Sequence, residues 1–242
     1  MDAKVVQVHE GRGGRCQGFD VVFEDSEIVL VNKAAGLATQ GGAGVGRSLD
    51  VELSRYLGHK AHLVHRLDKD TAGLIVVAKD SRAAAKWSAL ISSAQVRKEY
   101  TAVCFGYPVI DGKRCEEGTL KSTLPQHGRL LNAATHFRVE RTGDLPLPGT
   151  QEALSVCVVC ATLDTGRTHQ IRLHLAAAAC PIVADDKHGD FAQNRLARKV
   201  GVNRLHLAAV AIALPLAGKM HSFEVPLPPH MQRTLSLLPP QS

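Results

Sequence analysis

Two stretches of the chain carry residue types that could do chemistry together. His65-Arg66-Leu67-Asp68-Lys69-Asp70-Thr71-Ala72-Gly73 sets a carboxylate between two cations, directly before an apolar run. Nearby cations favour the ionised form, so Asp68 would stand as a charged base or nucleophile at neutral pH. Gly73 gives the backbone room to turn into the strand that follows. On electrostatics alone, a loop salt bridge is the simpler account of these residues. The second stretch is Asp164-Thr165-Gly166-Arg167-Thr168-His169-Gln170-Ile171-Arg172-Leu173-His174. Gly166 marks a turn, Thr168 is a candidate helix cap, and Arg172 shares a helical face with His169. His169 and His174 are of metal-ligating type, but no third ligand stands at a convincing spacing, and twelve histidines make coincidences common. No metal is expected.

Two further patterns mimic sites. Gly41 to Gly46 followed by Arg47-Ser48 has P-loop spacing, but Arg replaces the lysine and the upstream strand ends too early. A Gly-rich connection before a helix capped by Ser48 accounts for the same residues. Cys157-Val-Val-Cys160 lies in a strand-like run, where positions three apart face opposite ways. No second pair stands at zinc-ribbon spacing, so buried structural thiols are the better reading of this pair; six cysteines in 242 residues are not a disulfide scaffold, and reduced thiols suit an intracellular protein.

These residues need a scaffold, and 242 residues suffice for one large domain. Apolar residues make up 45% and charged ones 21%, which excludes wholesale disorder and fibrous architectures. No apolar run is long enough to span a bilayer, and the first twenty residues lack the apolar core of a secretory signal, so a soluble protein is expected. The net charge of +6 is concentrated: residues 55–100 hold nine Lys/Arg against four Asp/Glu, and 166–206 hold seven against three. Two basic segments on an otherwise slightly acidic chain suit a polyanion.

Short strands are expected at Val21–Glu24, Ile28–Asn32, Gly73–Lys79, Glu99–Phe105, Ser155–Leu163, Pro181–Ala184, Leu205–Leu214 and Ser222–Val225. Helices are expected after Ser48, from Asp80 or Ser81 with Ala84, Trp87, Ile91 and Ala94 on one face, and from about Thr168 to Ala179. Tyr107–Gly149 reads as loop-rich with one strand near Thr135–Arg141, and Gly143–Gly149 as a surface turn. Strands outnumber helices and several connections are too short for parallel crossovers, so the fold class is α+β on a largely antiparallel mixed sheet flanked by helices.

The motifs, taken in order, resemble those of the RluA family of RNA pseudouridine synthases. The resemblance is carried by His65-Arg66-Leu67-Asp68 with Thr71 and Gly73, Lys98-Glu99-Tyr100, and Gly166-Arg167-Thr168-His169-Gln170-Ile171-Arg172 with His174. Asn32-Lys33 with Gly36-Leu37, Ala134-Thr135-His136-Phe137, and Pro181-Ile182 with Asp185 and Gly189 follow the same pattern. Asp185 to Asp190 and Asn203-Arg204-Leu205 lean towards the RluC-like branch, which acts on large-subunit ribosomal RNA. Ala72, Ala34 and Ala208 stand where the family usually has serine, proline and histidine.

The resemblance implies a catalytic domain over 21–230, with an N-terminal extension at 1–20 and a Pro-rich tail at 231–242. Residues 1–20 cannot replace the S4-type RNA-binding domain often found there, so affinity is expected from the domain's own basic segments. It further implies isomerisation of uridine to pseudouridine, with Asp68 as catalytic aspartate, Arg172 pairing with that carboxylate and Tyr100 packing on the uracil. Arg66 takes the vacated place in the RNA stack, and His65, Lys69, Arg167 and His169 bind RNA. A redox-neutral isomerisation needs no cofactor. A cytoplasmic monomer acting on ribosomal RNA is expected, with transfer RNA and an organellar matrix as the alternatives. Two rivals are a catalytically silent RNA-binding or ribosome assembly factor and a nucleotide-binding protein using Gly41–Ser48.

Overall fold

The computed structural model describes residues 18–42, 46–93, 95–126 and 128–239. The first part of the chain forms β1 (Phe19–Glu24), β2 (Ile28–Lys33), α1 (Leu49–Leu57), β3 (His62–Leu63), β4 (Ala72–Ala78), α2 (Ser81–Ile91) and β5 (Arg97–Phe105). Next come β6 (Val109–Ile110), β7 (Lys113–Arg114), β8 (Glu117–Gln126), β9 (Arg129–Pro146), β10 (Ala153–Leu163) and α3 (Gln170–Ala177). The last are α4 (Phe191–Arg198), β11 (Leu207–Leu216), β12 (Lys219–Glu224) and α5 (Pro229–Ser236). The fold is α+β with mostly antiparallel strand pairs. Among the described residues no helix is long and apolar enough to cross a membrane.

The chain forms two compact units, Met1–Lys98 with Ala209–Pro226 and Glu99–Ala208 with Leu227–Ser242. In the first unit β4 lies between β2 and β11, and all seven of its residues are buried. Burial on both faces is why Ala72–Ala78 reads as a continuous apolar run rather than an alternating one. Helix α2 starts where the sequence predicts, with the Asp80 side chain accepting from Ala83 N at 2.7 Å. It lays Trp87, Ile91 and Ala83 on a core of Ile28, Leu30, Leu74, Val76, Ile212 and Phe223. Ala94, expected on that face, lies outside the described residues, as do Cys16, residues 43–45 of the Gly-rich loop and most of the N-terminal extension.

The second unit is an antiparallel meander in which β5 pairs β10, β10 pairs β9 and β9 pairs β8. The long β8–β9 hairpin occupies what reads in sequence as a loop-rich region. Its outer strand β8 has only Leu124 buried, so it carries no apolar alternation, and Pro125 is tolerated because that strand ends the sheet order. Gly143–Gly149 is not wholly a surface turn. Strand β9 runs on to Pro146, with Leu145 and Leu147 buried and Gly143 leaving space for Leu238. The expected strand Pro181–Ala184 is reduced to a bridge between Cys104 and Ile182. Helices α4 and α5 are unforeseen; α5 falls where a Pro-rich tail was read, Pro229 starting it at the position that needs no backbone N–H.

Candidate active site

In the first unit the Asp68 loop is fastened from below. Lys33, fully buried at the end of β2, donates from Nζ to the carbonyl oxygens of Ala34 at 3.0 Å, Leu37 at 2.9 Å and Lys69 at 3.1 Å. Burial lowers the Lys33 amine to about 8, and the Asp70 and Asp68 charges resist that fall. Gly36 N donates to the same Lys69 carbonyl, Thr39 Oγ1 donates to Leu67 O at 2.6 Å, and Thr71 N closes a turn onto Asp68 O. The backbone on both sides of Asp68 is therefore fixed by buried hydrogen bonds. The Asp68 side chain is half-buried, and Arg66 and Lys69 beside it are exposed. His65 points the other way: its Nε2 accepts from Val76 N at 2.9 Å in the middle of β4. Burial, aided by the Lys98 charge, pushes its pKa down to about 3, so the ring is neutral and anchors the start of the loop.

Gly73 allows the close approach that ends the loop. Its φ is +110°, and a Cβ there would collide with the carbonyl oxygen of Ala209 on β11.

In the second unit, Tyr100 sits buried on β5 opposite Ala161 of β10. Arg172, also buried, is gripped by a residue without an assigned role in the sequence: Nε reaches Asp185 Oδ2 and Nη2 reaches Asp185 Oδ1, each at 2.7 Å. Burial would raise the Asp185 carboxyl, but the Arg172 fork and the backbone N–H groups of His188 and Lys187 outweigh it and hold the pKa below the ordinary value. Asn194 completes the turn by donating to Asp185 O and accepting from Ala184 N. The fork uses Nε–H and one N–H of Nη2, two of the five donors of the guanidinium.

The motif before α3 divides into braces and surface groups. Gln170 is the hub: Oε1 accepts from Thr165 Oγ1 and Arg167 N, and Nε2 donates to Ala134 O and Thr135 Oγ1. His174 is buried between Ser122 Oγ and Thr135 Oγ1, each at 2.8 Å, and burial lowers its pKa. Thr168 does not cap α3. The N-cap is His169, in the left-handed region at φ 54°, with Nδ1 2.8 Å from Nε2 of His188. Arg167 leans on Asn132 O and Gln126 Oε1. The Cys157 thiol lies 3.4 Å from that of Cys180, and Cys160 lies elsewhere along β10 beside Glu99; burial pushes the Cys160 thiol up to about 11, as expected of structural thiols.

Lys33, Asp185 and Gln170 are the supporting residues that sequence reasoning left without a role. The one available signal was a lysine closing an apolar strand, where burial of a charge demands partners.

Comparison with known proteins bears on the family and the fold. The family model for RNA pseudouridylate synthase matches residues 27–177. Ribosomal large subunit pseudouridine synthase C of Rickettsia bellii is 31% identical over 220 residues, covering 88% of this chain and 70% of that protein. The Escherichia coli synthase C is 32% identical over 232 residues, covering 90% and 69%. Among solved structures, human RNA pseudouridylate synthase domain containing 4 superposes with a TM-score of 0.67 at 26% identity, covering 90% of this chain and 92% of that one. The chain belongs to the RNA pseudouridylate synthase family, isomerases of the RluA type.

Proposed function

We propose that this protein isomerises uridine to pseudouridine in large-subunit ribosomal RNA, with Asp68 as its catalytic carboxylate. The observation that carries the reading is the brace beneath Asp68. A buried lysine, two backbone N–H groups and a threonine hydroxyl hold residues 66–71, while the carboxylate stays half-buried between two exposed cations. A loop salt bridge needs no such foundation; a group that must meet a ribose within a fraction of an ångström does.

The reaction breaks the N1–C1′ bond of uridine, turns the uracil and forms a C5–C1′ bond, with the C5 proton lost and a proton taken up at N1. A base rebuilt in this way must leave its stack, at about a few kcal/mol, and Arg66 is the cation that fills the gap. The ionised Asp68 adds to C1′ or removes a sugar proton; both routes require the carboxylate and neither needs a cofactor. Tyr100 offers a ring face to the uracil and a phenol for proton transfer at C5. Arg172, oriented by Asp185, supplies the fixed positive charge of the site. Lys69, Arg167 and His169 are the groups that bind RNA, and His65 acts by anchoring the backbone that carries Arg66. The synthase C relatives are named for the ribosomal large subunit, which favours that RNA over transfer RNA, and a cytoplasmic monomer is the form that fits it.

The test is to incubate the purified protein with an unmodified large-subunit ribosomal RNA transcript and map pseudouridines. At least one uridine converts without added metal or nucleotide. Tight binding without any conversion contradicts the reading and leaves a silent RNA-binding factor.

A further inference from the structure

The second unit contains a basic cavity built from none of the residues assigned to catalysis. It measures about 370 Å³ and lies between the turn after α4 and helix α5. Arg204, Arg233, Asn203, Ser236 and His230 line it, and no aspartate or glutamate does. Neither guanidinium makes a hydrogen bond or ion pair among the described residues, whereas Arg198, at the end of α4, is neutralised by Asp186 at 2.6 Å. Both guanidiniums act on one imidazole: their charges help burial to lower the pKa of His230.

The backbone segments that carry the two arginines are tied together. His206, buried beneath the cavity, bonds the Arg204 carbonyl through Nδ1 at 2.7 Å and Thr234 Oγ1 of α5 through Nε2 at 2.8 Å. The carbonyl requires a donor, so the proton is on Nδ1 and the Thr234 hydroxyl donates to Nε2. His230 Nε2 donates to Leu205 O at 3.1 Å, and the two rings meet edge to face at 5.3 Å. The backbone bearing Arg204 is thus pinned to the helix bearing Arg233. Two cations kept together without a counter-charge repel each other, and an anion between them removes that cost.

We propose that this cavity is a phosphate-binding subsite that takes a phosphodiester of the RNA substrate, an assignment that rests on the RNA-modifying reading above. The volume exceeds one phosphate and suits a phosphate with its ribose. Asn203 and Ser236 add donors of the kind that hold sugar and phosphate oxygens. A site of this type adds affinity without reading sequence, and its contribution falls with salt.

The experiment compares the full chain with R204Q/R233Q, and with R82Q/K219Q as a control that removes the same charge elsewhere. Binding of a fluorescein-labelled oligouridylate of about twelve nucleotides is followed by anisotropy across a potassium chloride series. Losing the one phosphate contact lowers the slope of log affinity against log salt by about 0.7, with the control changing it far less. In parallel, NMR of the His230 ring compares that oligouridylate with inorganic phosphate. The oligouridylate shifts the ring at lower concentration than phosphate does, and R204Q/R233Q abolishes both shifts. A slope change no larger than the control's overturns the assignment, as does a ring that responds to free phosphate and not to the oligouridylate. Pseudouridine formation on ribosomal RNA by the unsubstituted protein separates the two levels. Its absence removes the RNA-modifying reading, whereas an unchanged slope in an active enzyme removes only this subsite.

Discussion

Arg172 and Asp185 form a side-on fork, two contacts of 2.7 Å between a guanidinium and a carboxylate that are both buried. Removing one member of such a pair leaves an unmatched buried charge. Asp185→Ala therefore costs about 3–5 kcal/mol of stability, read as a lower denaturation midpoint. It also lets the guanidinium swing, so turnover falls about a hundredfold while RNA affinity changes little. The Asp185 pKa is lower folded than unfolded, so its stabilisation is present above the ordinary value of 3.8 and is lost as pH drops through the folded value. Asp185→Ala lacks that acid-side loss.

Lys33 shows the same sign of pH dependence in a more alkaline window. Its amine is lowered from 10.5 to about 8, so between those values the unfolded chain binds more protons and stability rises with pH. Chemical denaturation of the wild type from pH 8 to 10.5 shows a gain of about 3 kcal/mol that Lys33→Met does not show. The same substitution removes the Lys33 donor from the Leu37 carbonyl and one of the two donors to the Lys69 carbonyl, and loosens the Asp68 loop, so kcat falls at every pH.

Gly73→Ala tests the close approach of β4 to β11. The added carbon meets the Ala209 carbonyl, and φ is already +110°, so neither side can yield cheaply. A loss of at least about 3 kcal/mol, or failure to recover folded protein, is expected by circular dichroism.

His65 and His206 are held neutral, at about 3 and about 4, mainly by burial. Their unfolded forms take up protons near 6.5, so stability drops as pH falls from 6.5 towards 4. His65→Gln keeps an acceptor for Val76 N and loses its share of that drop, seen as a flatter profile of melting temperature against pH.

What the sequence made legible follows from how strongly each element is patterned. Strand β4 is buried on both faces and α2 carries a capped apolar stripe, so length and periodicity alone locate them. Strand β8 buries one side chain, and its pairing with β9 is set by backbone hydrogen bonds that leave no mark on residue types. Helix α5 was hidden because proline reads as a breaker, although at a first helical position it is a starter. At the site, Asp68, Tyr100 and Arg172 are legible through the resemblance of their motifs to the family. Their supports are not: the acceptors of Lys33 are carbonyl oxygens, one of them 36 residues away, and the grip of Asp185 on Arg172 depends on a turn held by Asn194.

The most direct measurement is pseudouridine formation by Asp68→Asn beside the wild type on the same ribosomal RNA transcript, with RNA affinity measured in parallel. The substitution keeps the size and polarity of the side chain and removes its charge. Product falls below detection while the dissociation constant stays within about threefold. Turnover near that of the wild type would contradict the central role given to this carboxylate.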